Sequence, residues 1–283
     1  MHGIIAVAPS YRLTDCPGHM EDAVAAVHWT CKHLINLGAN PNKIFLSGHS
    51  AGGNIAANLA CSTWLKEVLD KYQVRILGAV CISGVYSLLN PLGGAYSSMK
   101  NKGFDKLYRL KVFGNDLEVL TRHSPVAQLR LMLGEPPYPA NQCKICNIAR
   151  AISNWKRSDT KSESTVLSSR CANEIGEVPT DDDSSQQFNV KAESHQDTLR
   201  CLSTSFLVMN AEFDVGLESD GQRFVELLHR VYKMQQDEVG TDTFEPQYCL
   251  LPELGHATIT LDEKALLIAS DFILSVFQQS ECQ

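Results

Sequence analysis

The stretch Leu46-Ser47-Gly48-His49-Ser50-Ala51-Gly52-Gly53-Asn54 contains a Gly-x-Ser-x-Gly pentapeptide centred on Ser50. A short apolar run typical of a strand precedes it, and an Ala-rich run with helical spacing follows it. At such a junction the serine occupies a strained turn from which its hydroxyl projects, and neighbouring glycines remove side chains that would collide. The stretch therefore predicts a nucleophile, Ser50, in an elbow formed by Gly48, His49, Gly52 and Gly53. The alternative is a glycine-rich turn that contains a serine by chance.

Strands and helices alternate on both sides of this elbow. Strands are predicted at residues 4–8, 43–47, 76–83, 205–210 and 247–251. Helices are predicted at residues 20–37, 51–69, 219–234 and 261–277. Alternation of this kind indicates a mostly parallel sheet with helices on both faces, and hence an α/β fold class.

The acid that would accompany such a serine is predicted to be Asp214. A serine nucleophile at a strand–helix turn is followed in the chain by an acid and then a histidine, each at the carboxyl edge of the sheet. Asp214 follows the apolar strand at 206–210 after a predicted Ala-Glu-Phe turn. Glu212, Glu218 and Asp220 are the alternatives, of which the last two are typical of acids in the first turn of a helix.

The base is predicted to be His256, which follows the last strand and Gly255. A glycine before the histidine permits an unusual backbone turn, and a helix follows shortly after. His49 adjoins the serine, but side chains of neighbouring residues on a tight turn diverge. We therefore expect His49 to pack or to line the pocket, and His256 to serve as the base.

Composition and charge exclude several other classes of protein. The net charge is −7 without a basic cluster, which argues against a nucleic-acid partner. No apolar run approaches the roughly 20 residues that span a bilayer, and the N-terminus lacks the basic start of a signal peptide. Cys143 and Cys146 have no further pair to complete a zinc site, and the other cysteines are expected to be free thiols. We expect a cytoplasmic protein without metal or organic cofactor, and the sequence carries no signal for its oligomeric state.

One domain, residues 1–283, is expected to hold all these elements, with two departures from the regular pattern. Residues 86–134 are predicted to form an irregular cap with helical pieces. Residues 141–200 are rich in serine and aspartate and poor in large apolar side chains, so we expect a disordered insertion there.

Several motifs resemble the hormone-sensitive-lipase-like and carboxylesterase branch of the α/β-hydrolases. They are Tyr11-Arg12-Leu13, Glu21-Asp22-Ala23 and the elbow; the stretches 83–86, 124–125 and 210–214 resemble isoprenylcysteine methylesterases and kynurenine formamidases. The resemblance covers residues 1–134 and 201–278. It implies the α/β-hydrolase fold, a triad of Ser50, Asp214 and His256, an oxyanion-hole N–H on Ala51 and a structural role for Asp22.

The chain departs from this family at its start. The family's His-Gly-Gly-Gly loop, which supplies the other half of the oxyanion hole, has no match here, so the resemblance implies an N-terminally truncated chain without the first strands. The expected activity is hydrolysis of a small carboxylic ester. The alternatives are an arylformamidase that acts on N-formylkynurenine, and an impaired pseudo-hydrolase that acts by binding. Small-molecule esters or formamides are the expected substrates.

Overall fold

The computed structural model of the chain describes residues 3–88, 111–114, 116–137, 202–214, 216–239 and 245–281. Within them, four strands form one parallel sheet in the order β1-β2-β3-β4. The strands are β1 (Ile44–His49), β2 (Ile76–Ile82), β3 (Ser205–Phe213) and β4 (Gln247–Gly255). The helices are α1 (Gly18–His33), α2 (Ala51–Cys61), α3 (Lys66–Tyr72), α4 (Leu117–Arg122), α5 (Pro125–Met132), α6 (Glu218–Val239) and α7 (Glu263–Glu281). This is the α/β arrangement that the alternating pattern predicts.

The two central strands carry the core on both of their faces. Because side chains alternate along a strand, Ala79, Cys81 and Phe206 lie on the face covered by α2 and α6, with α5 packed against both helices. Val80 and Leu207 lie on the opposite face, which α7 covers. Strands buried on both faces are nearly continuous apolar runs, which explains the sequences of β2 and β3.

The predicted strand at residues 4–8 is wrong. These residues adopt no regular structure and their apolar side chains are exposed: 57% of Ile4, 47% of Ile5 and 41% of Val7. A strand is defined by hydrogen bonds to a neighbour, and in the described residues β1 pairs only with β2. Apolar composition indicates a buried strand only where a neighbouring strand is available for pairing. None of the described strands pairs with residues 4–8.

Several element boundaries also differ from prediction; β4, for example, continues to Gly255 and not only to residue 251. The helix predicted at 51–69 breaks at Ser62, whose extended backbone (φ −129°, ψ 178°) separates α2 from a short 3₁₀ turn and α3. Helix α1 ends at His33 and not at residue 37. The predicted Ala-Glu-Phe turn before Asp214 is instead the end of β3, which continues to Phe213.

The predicted cap is described only at residues 86–88, 111–114 and 116–134, which include α4 and α5. There α5 contributes Val126 and Leu129 to the main core, so this part packs as a regular element of the fold. The predicted insertion at 141–200 lies outside the described residues. No helix in the described ranges is both long and apolar enough to cross a membrane.

Candidate active site

Ser50 occupies the sharp turn between β1 and α2. Its backbone has φ 55° and ψ −116°, outside the regions that side chains other than glycine ordinarily populate. The Ser50 N–H donates to the carbonyl oxygen of Ile82 at 2.9 Å, which ties the turn to the end of β2. A strained serine at a strand–helix junction is the geometry that the pentapeptide predicts.

The glycines of the elbow are required to different degrees. A Cβ on Gly48 would lie 2.1 Å from the carbonyl oxygen of Gly52, and one on Gly53 would lie 2.9 Å from the Cα of Gly84. A Cβ on Gly52 would meet nothing within 4 Å. The prediction that flanking glycines avoid a collision therefore holds for Gly48 and Gly53 and is wrong for Gly52.

Ser50, His256 and Asp214 form one hydrogen-bonded series. His256 Nε2 lies 2.9 Å from Ser50 Oγ, and His256 Nδ1 lies 2.5 Å from Asp214 Oδ1. Since a carboxylate only accepts, Nδ1 carries the proton toward Asp214, and Nε2 is left to accept from the serine hydroxyl. The three residues follow the carboxyl ends of β1, β4 and β3, so the parallel sheet brings them to one edge.

The Asp214 carboxyl is fully buried and held from both sides. Its Oδ2 accepts from Asn210 Nδ2 at 2.6 Å and from the Ala211 N–H at 3.3 Å. Burial by itself favours the neutral form of the carboxyl. Interactions with His256, Ser83 and Asn210 outweigh it, and the pKa of the Asp214 carboxyl is lowered. The Ser83 hydroxyl also favours the ionised form of the Asp214 carboxyl, but it makes no hydrogen bond among the described residues.

The other acids considered from the sequence make different contacts. Glu212 is exposed and accepts from the backbone N–H of Glu253 at 2.9 Å. Glu218 lies in the first turn of α6. Asp220 is buried and accepts from the backbone of the loop after β2. Of the four acids, Asp214 is the one in contact with His256.

His49 contacts both the backbone and the ring of His256. Its Nε2 donates to the carbonyl oxygen of His256 at 2.7 Å, and the two rings stack at a tilt with centroids 4.7 Å apart. Burial lowers the pKa of the His49 imidazole. His49 therefore packs against the base, as expected of a residue whose side chain diverges from that of Ser50.

Ala51 is the first residue of α2, so its N–H belongs to the first turn, which has no carbonyl partner within the helix. These N–H groups and the helix dipole favour negative charge at this end. One turn further on, the buried Asn54 donates through Nδ2 to the carbonyl oxygens of Val85 (2.7 Å) and His123 (3.2 Å). Asn54 thus fixes the start of α2 against the loop after β2.

Asp22 lies apart from these residues and pairs with Arg12. Its carboxylate accepts from the Arg12 backbone N–H at 2.8 Å and from the guanidinium. The hydrogen bond from Arg12 lowers the pKa of the Asp22 carboxyl. These contacts fit the structural role that the resemblance implies for Asp22.

The cysteines and the potential metal ligands of the described ranges do not form a disulfide or a metal site. Cys61 and Cys81 are buried free thiols and Cys249 is a half-buried one. Cys143 and Cys146 lie outside the described residues. No group of three or more His, Cys, Asp or Glu side chains within these ranges is placed to hold a metal ion.

Asn210 and Ser83 lie in stretches that carry the family resemblance, but the sequence assigned neither of them a role in the site. Asn210 closes an otherwise apolar strand, and a polar residue at such a strand end was the available signal. Ser83 has φ 47° and its N–H donates to the Met209 carbonyl at 2.7 Å. A backbone conformation of this kind leaves no mark in the sequence.

Comparison with known families identifies the fold. A family model described as alpha/beta hydrolase fold matches residues 1–128. Esterase B from Lactobacillus rhamnosis superposes with a TM-score of 0.51 at 14% identity, covering 96% of this chain and 67% of that one. At this identity the likeness shows the fold alone.

Curated relatives match shorter segments. A kynurenine formamidase from Salmo salar is 32% identical over 89 residues, which is 31% of this chain and 28% of the relative. A probable isoprenylcysteine alpha-carbonyl methylesterase from Arabidopsis thaliana is 33% identical over 76 residues, 25% of this chain and 16% of the relative. The matched segments span between 14% and 28% of the curated relatives.

Proposed function

We propose that this chain, which has the α/β-hydrolase fold, hydrolyses small carboxylic esters with Ser50 as nucleophile, His256 as base and Asp214 as acid. The observation that carries the proposal is the series of hydrogen bonds from Ser50 Oγ through His256 to Asp214, at 2.9 and 2.5 Å. A nucleophile, a base within hydrogen-bond reach and a third group that orients the base are the requirements of covalent acyl transfer.

The first half of the reaction forms an acyl-enzyme. Ser50 Oγ attacks the carbonyl carbon as its proton passes to His256 Nε2, and the carbonyl electron pair moves onto the oxygen. The Ala51 N–H stabilises that oxyanion, and Asp214 stabilises the imidazolium. When the tetrahedral intermediate collapses, the bond to the leaving oxygen breaks, and His256 returns its proton to the departing alcohol.

The second half releases the acid. His256 Nε2 takes a proton from a water molecule, whose oxygen attacks the acyl carbon on Ser50. Collapse of the second intermediate breaks the bond to Ser50 Oγ, which recovers its proton from His256. The lowered pKa of Asp214 supports this role, because the acid remains ionised while the imidazole is charged.

A second candidate is hydrolysis of N-formylkynurenine, an aryl formamide. It is supported by the similarity to the Salmo salar kynurenine formamidase. The same residues would act, with His256 protonating an amine in place of an alcohol. Comparing kcat/KM for N-formylkynurenine with that for short p-nitrophenyl esters separates the two: a higher value for the formamide favours the second candidate.

A fluorescent fluorophosphonate tests the shared chemistry, because it labels an activated serine covalently. We expect the wild-type chain to be labelled and Ser50→Ala to remain unlabelled. Ser47→Ala, which changes an exposed serine three residues away, is the matched control and should label as the wild type does. A wild-type chain that is folded by circular dichroism but neither labelled nor active on esters would contradict the proposal and favour a pseudo-hydrolase that acts by binding.

A further inference from the structure

Asp220 is a buried carboxyl close to the site that the reaction above does not use. It lies in the first turn of α6, six residues after Asp214, and is 2% exposed. Its Oδ2 accepts from the backbone N–H groups of Tyr86 at 2.7 Å and Ser87 at 3.0 Å. Its Oδ1 has no hydrogen-bond partner among the described residues.

The loop that Asp220 holds, residues 83–87, runs beside the catalytic acid. At its start, Ser83 has φ 47° and donates its backbone N–H to the carbonyl oxygen of Met209 at 2.7 Å, on the strand that ends next to Asp214. At its centre, the Val85 carbonyl accepts from Asn54 on α2. The loop therefore connects the helix that begins next to Ser50 with the strand end that carries Asp214.

Tyr86 stiffens the same loop. Its hydroxyl accepts from the Gly84 N–H and donates to the Cys81 carbonyl, both at 3.2 Å, and its ring stacks on Phe224 of α6 with centroids 4.5 Å apart. The ring packing and the Asp220 hydrogen bonds thus join α6 to the loop at adjacent points.

We propose that Asp220 is a positioning residue of the active site, whose carboxylate fixes the loop at residues 83–87 against α6 and so holds the start of that loop on β3, next to the strand end that carries Asp214. This inference rests on the proposed function, since it concerns the placement of the same acid. Asp220 touches neither Ser50 nor His256 in the contacts described, so it acts through the loop and takes no part in proton transfer.

Ionisation of Asp220 lowers the stability of the folded chain but strengthens the hydrogen bonds that the carboxylate accepts from the loop. Burial raises the pKa of its carboxyl to about 6, although the Ser87 and Tyr86 N–H groups and Arg223 favour the charged form. A raised carboxyl pKa means that stability is lost as pH rises through about 6. The hydrogen bonds, however, are strongest when the acceptor is ionised.

Arg223 on α6 favours the charged form of this carboxyl, and Tyr86 of the loop lies against it. The elements packed in this part of the fold carry further titratable groups, namely Glu218 on α6 itself, Asp214 after β3, Tyr248 on β4 and Arg130 on α5. Arg130 pairs with Glu135. Burial raises the pKa of Tyr86 and that of Tyr248 above the ordinary value of a phenol, so neither group titrates near pH 6.

The test compares wild type with Asp220→Asn at two pH values. At about pH 8 the variant, which keeps an acceptor but no charge, should lose roughly 10-fold in kcat on a short p-nitrophenyl ester with unchanged KM, the cost of a misplaced catalytic group. At about pH 5 the wild-type carboxyl is itself protonated, so the ratio of wild type to variant should fall below about 2. Comparing the two proteins at the same pH removes from the ratio every effect of pH that they share.

The matched control is Asp237→Asn, the same change at an exposed position of α6, which should leave the ratio near one at both pH values. A ratio for Asp220→Asn that is equal at both pH values would overturn the inference, because loss of packing alone does not depend on the protonation of the wild type. A ratio near one at the higher pH would overturn it as well.

If Asp220→Asn does not fold, the wild type alone decides. The amide resonances of Tyr86 and Ser87, followed by NMR between about pH 8 and pH 5, should shift together with the rate of fluorophosphonate labelling. Labelling that falls while these resonances stay unchanged would overturn the inference. A folded wild type without any labelling or turnover is a separate outcome, which removes the proposed function and this inference together.

Discussion

Asp214→Asn removes one charge at the centre of the site and changes few atoms. Asp214 now supplies acceptors on both oxygens, one to His256 and one to Asn210 and the Ala211 N–H. An asparagine supplies an acceptor on one side only. If its oxygen faces His256, the tautomer is kept but the charge is lost; if its NH₂ faces His256, Nδ1 must accept and Nε2 can no longer take the Ser50 proton.

The size of the effect follows from the charge pair. The imidazolium that forms during the reaction has its charge centre about 4 Å from that of the carboxylate, where the attraction is about 4 kcal/mol at an effective dielectric constant of about 20. Loss of that stabilisation corresponds to roughly 10³ in kcat. A population with the wrong tautomer adds to this, so we expect a loss between about 10³ and 10⁴.

The assay is steady-state release of p-nitrophenol from a short acyl ester, with the concentration of reactive sites counted by fluorophosphonate titration. Glu212→Gln is the matched control: it also exchanges a carboxylate for an amide on β3, but at an exposed position where the amide oxygen still accepts from the Glu253 N–H. It should leave kcat unchanged. A loss below about 10-fold for Asp214→Asn, or an equal loss in both variants, would refute the assignment of Asp214 as the catalytic acid.

Three further predictions concern the scaffold. Gly48→Ala should abolish labelling and lower the Tm, since its Cβ would lie 2.1 Å from a backbone oxygen, whereas Gly52→Ala should retain both; labelling of the first variant would contradict the elbow geometry. Burial lowers the pKa of the His123 imidazole to about 3. The unfolded chain therefore takes up a proton below about pH 6.5 that the folded chain does not, and urea unfolding should show about 2 kcal/mol less stability from this group at pH 5 than at pH 7, an effect that His123→Asn should remove. Phe224→Ala, which deletes a fully buried ring stacked on Tyr86, should cost about 3–5 kcal/mol in the same measurement, and a cost below about 1 kcal/mol would mean that the ring is not buried.

The parts of the fold that the sequence predicted well are those with local signals. The elbow needs glycines and a serine within six residues, and β2 and β3 are apolar because both of their faces are covered. The positions of Ser50, Asp214 and His256 followed from the strand ends that precede them, and the structure brings all three together. Their catalytic roles remain the prediction that the labelling and turnover experiments test.

The parts that the sequence did not predict depend on distant partners. Residues 4–8 have a strand-like composition, but a strand requires a neighbour, and composition does not report whether one is present. Asp220 was interpreted as an ordinary acid at a helix start, because its partner Tyr86 lies 134 residues earlier in the chain. Neither helical spacing nor charge pattern relates two residues at that separation.

The site also links chemistry to folding kinetics. Ser50 and His256 are 206 residues apart in the chain and follow the first and the last strand of the sheet, so their contact depends on all three strand pairings. Contacts of such long sequence separation form late, because the entropy of closing large loops must be overcome before they contribute. The appearance of fluorophosphonate reactivity during refolding therefore reports completion of the sheet from its first strand to its last, a step that helix content measured by circular dichroism does not detect.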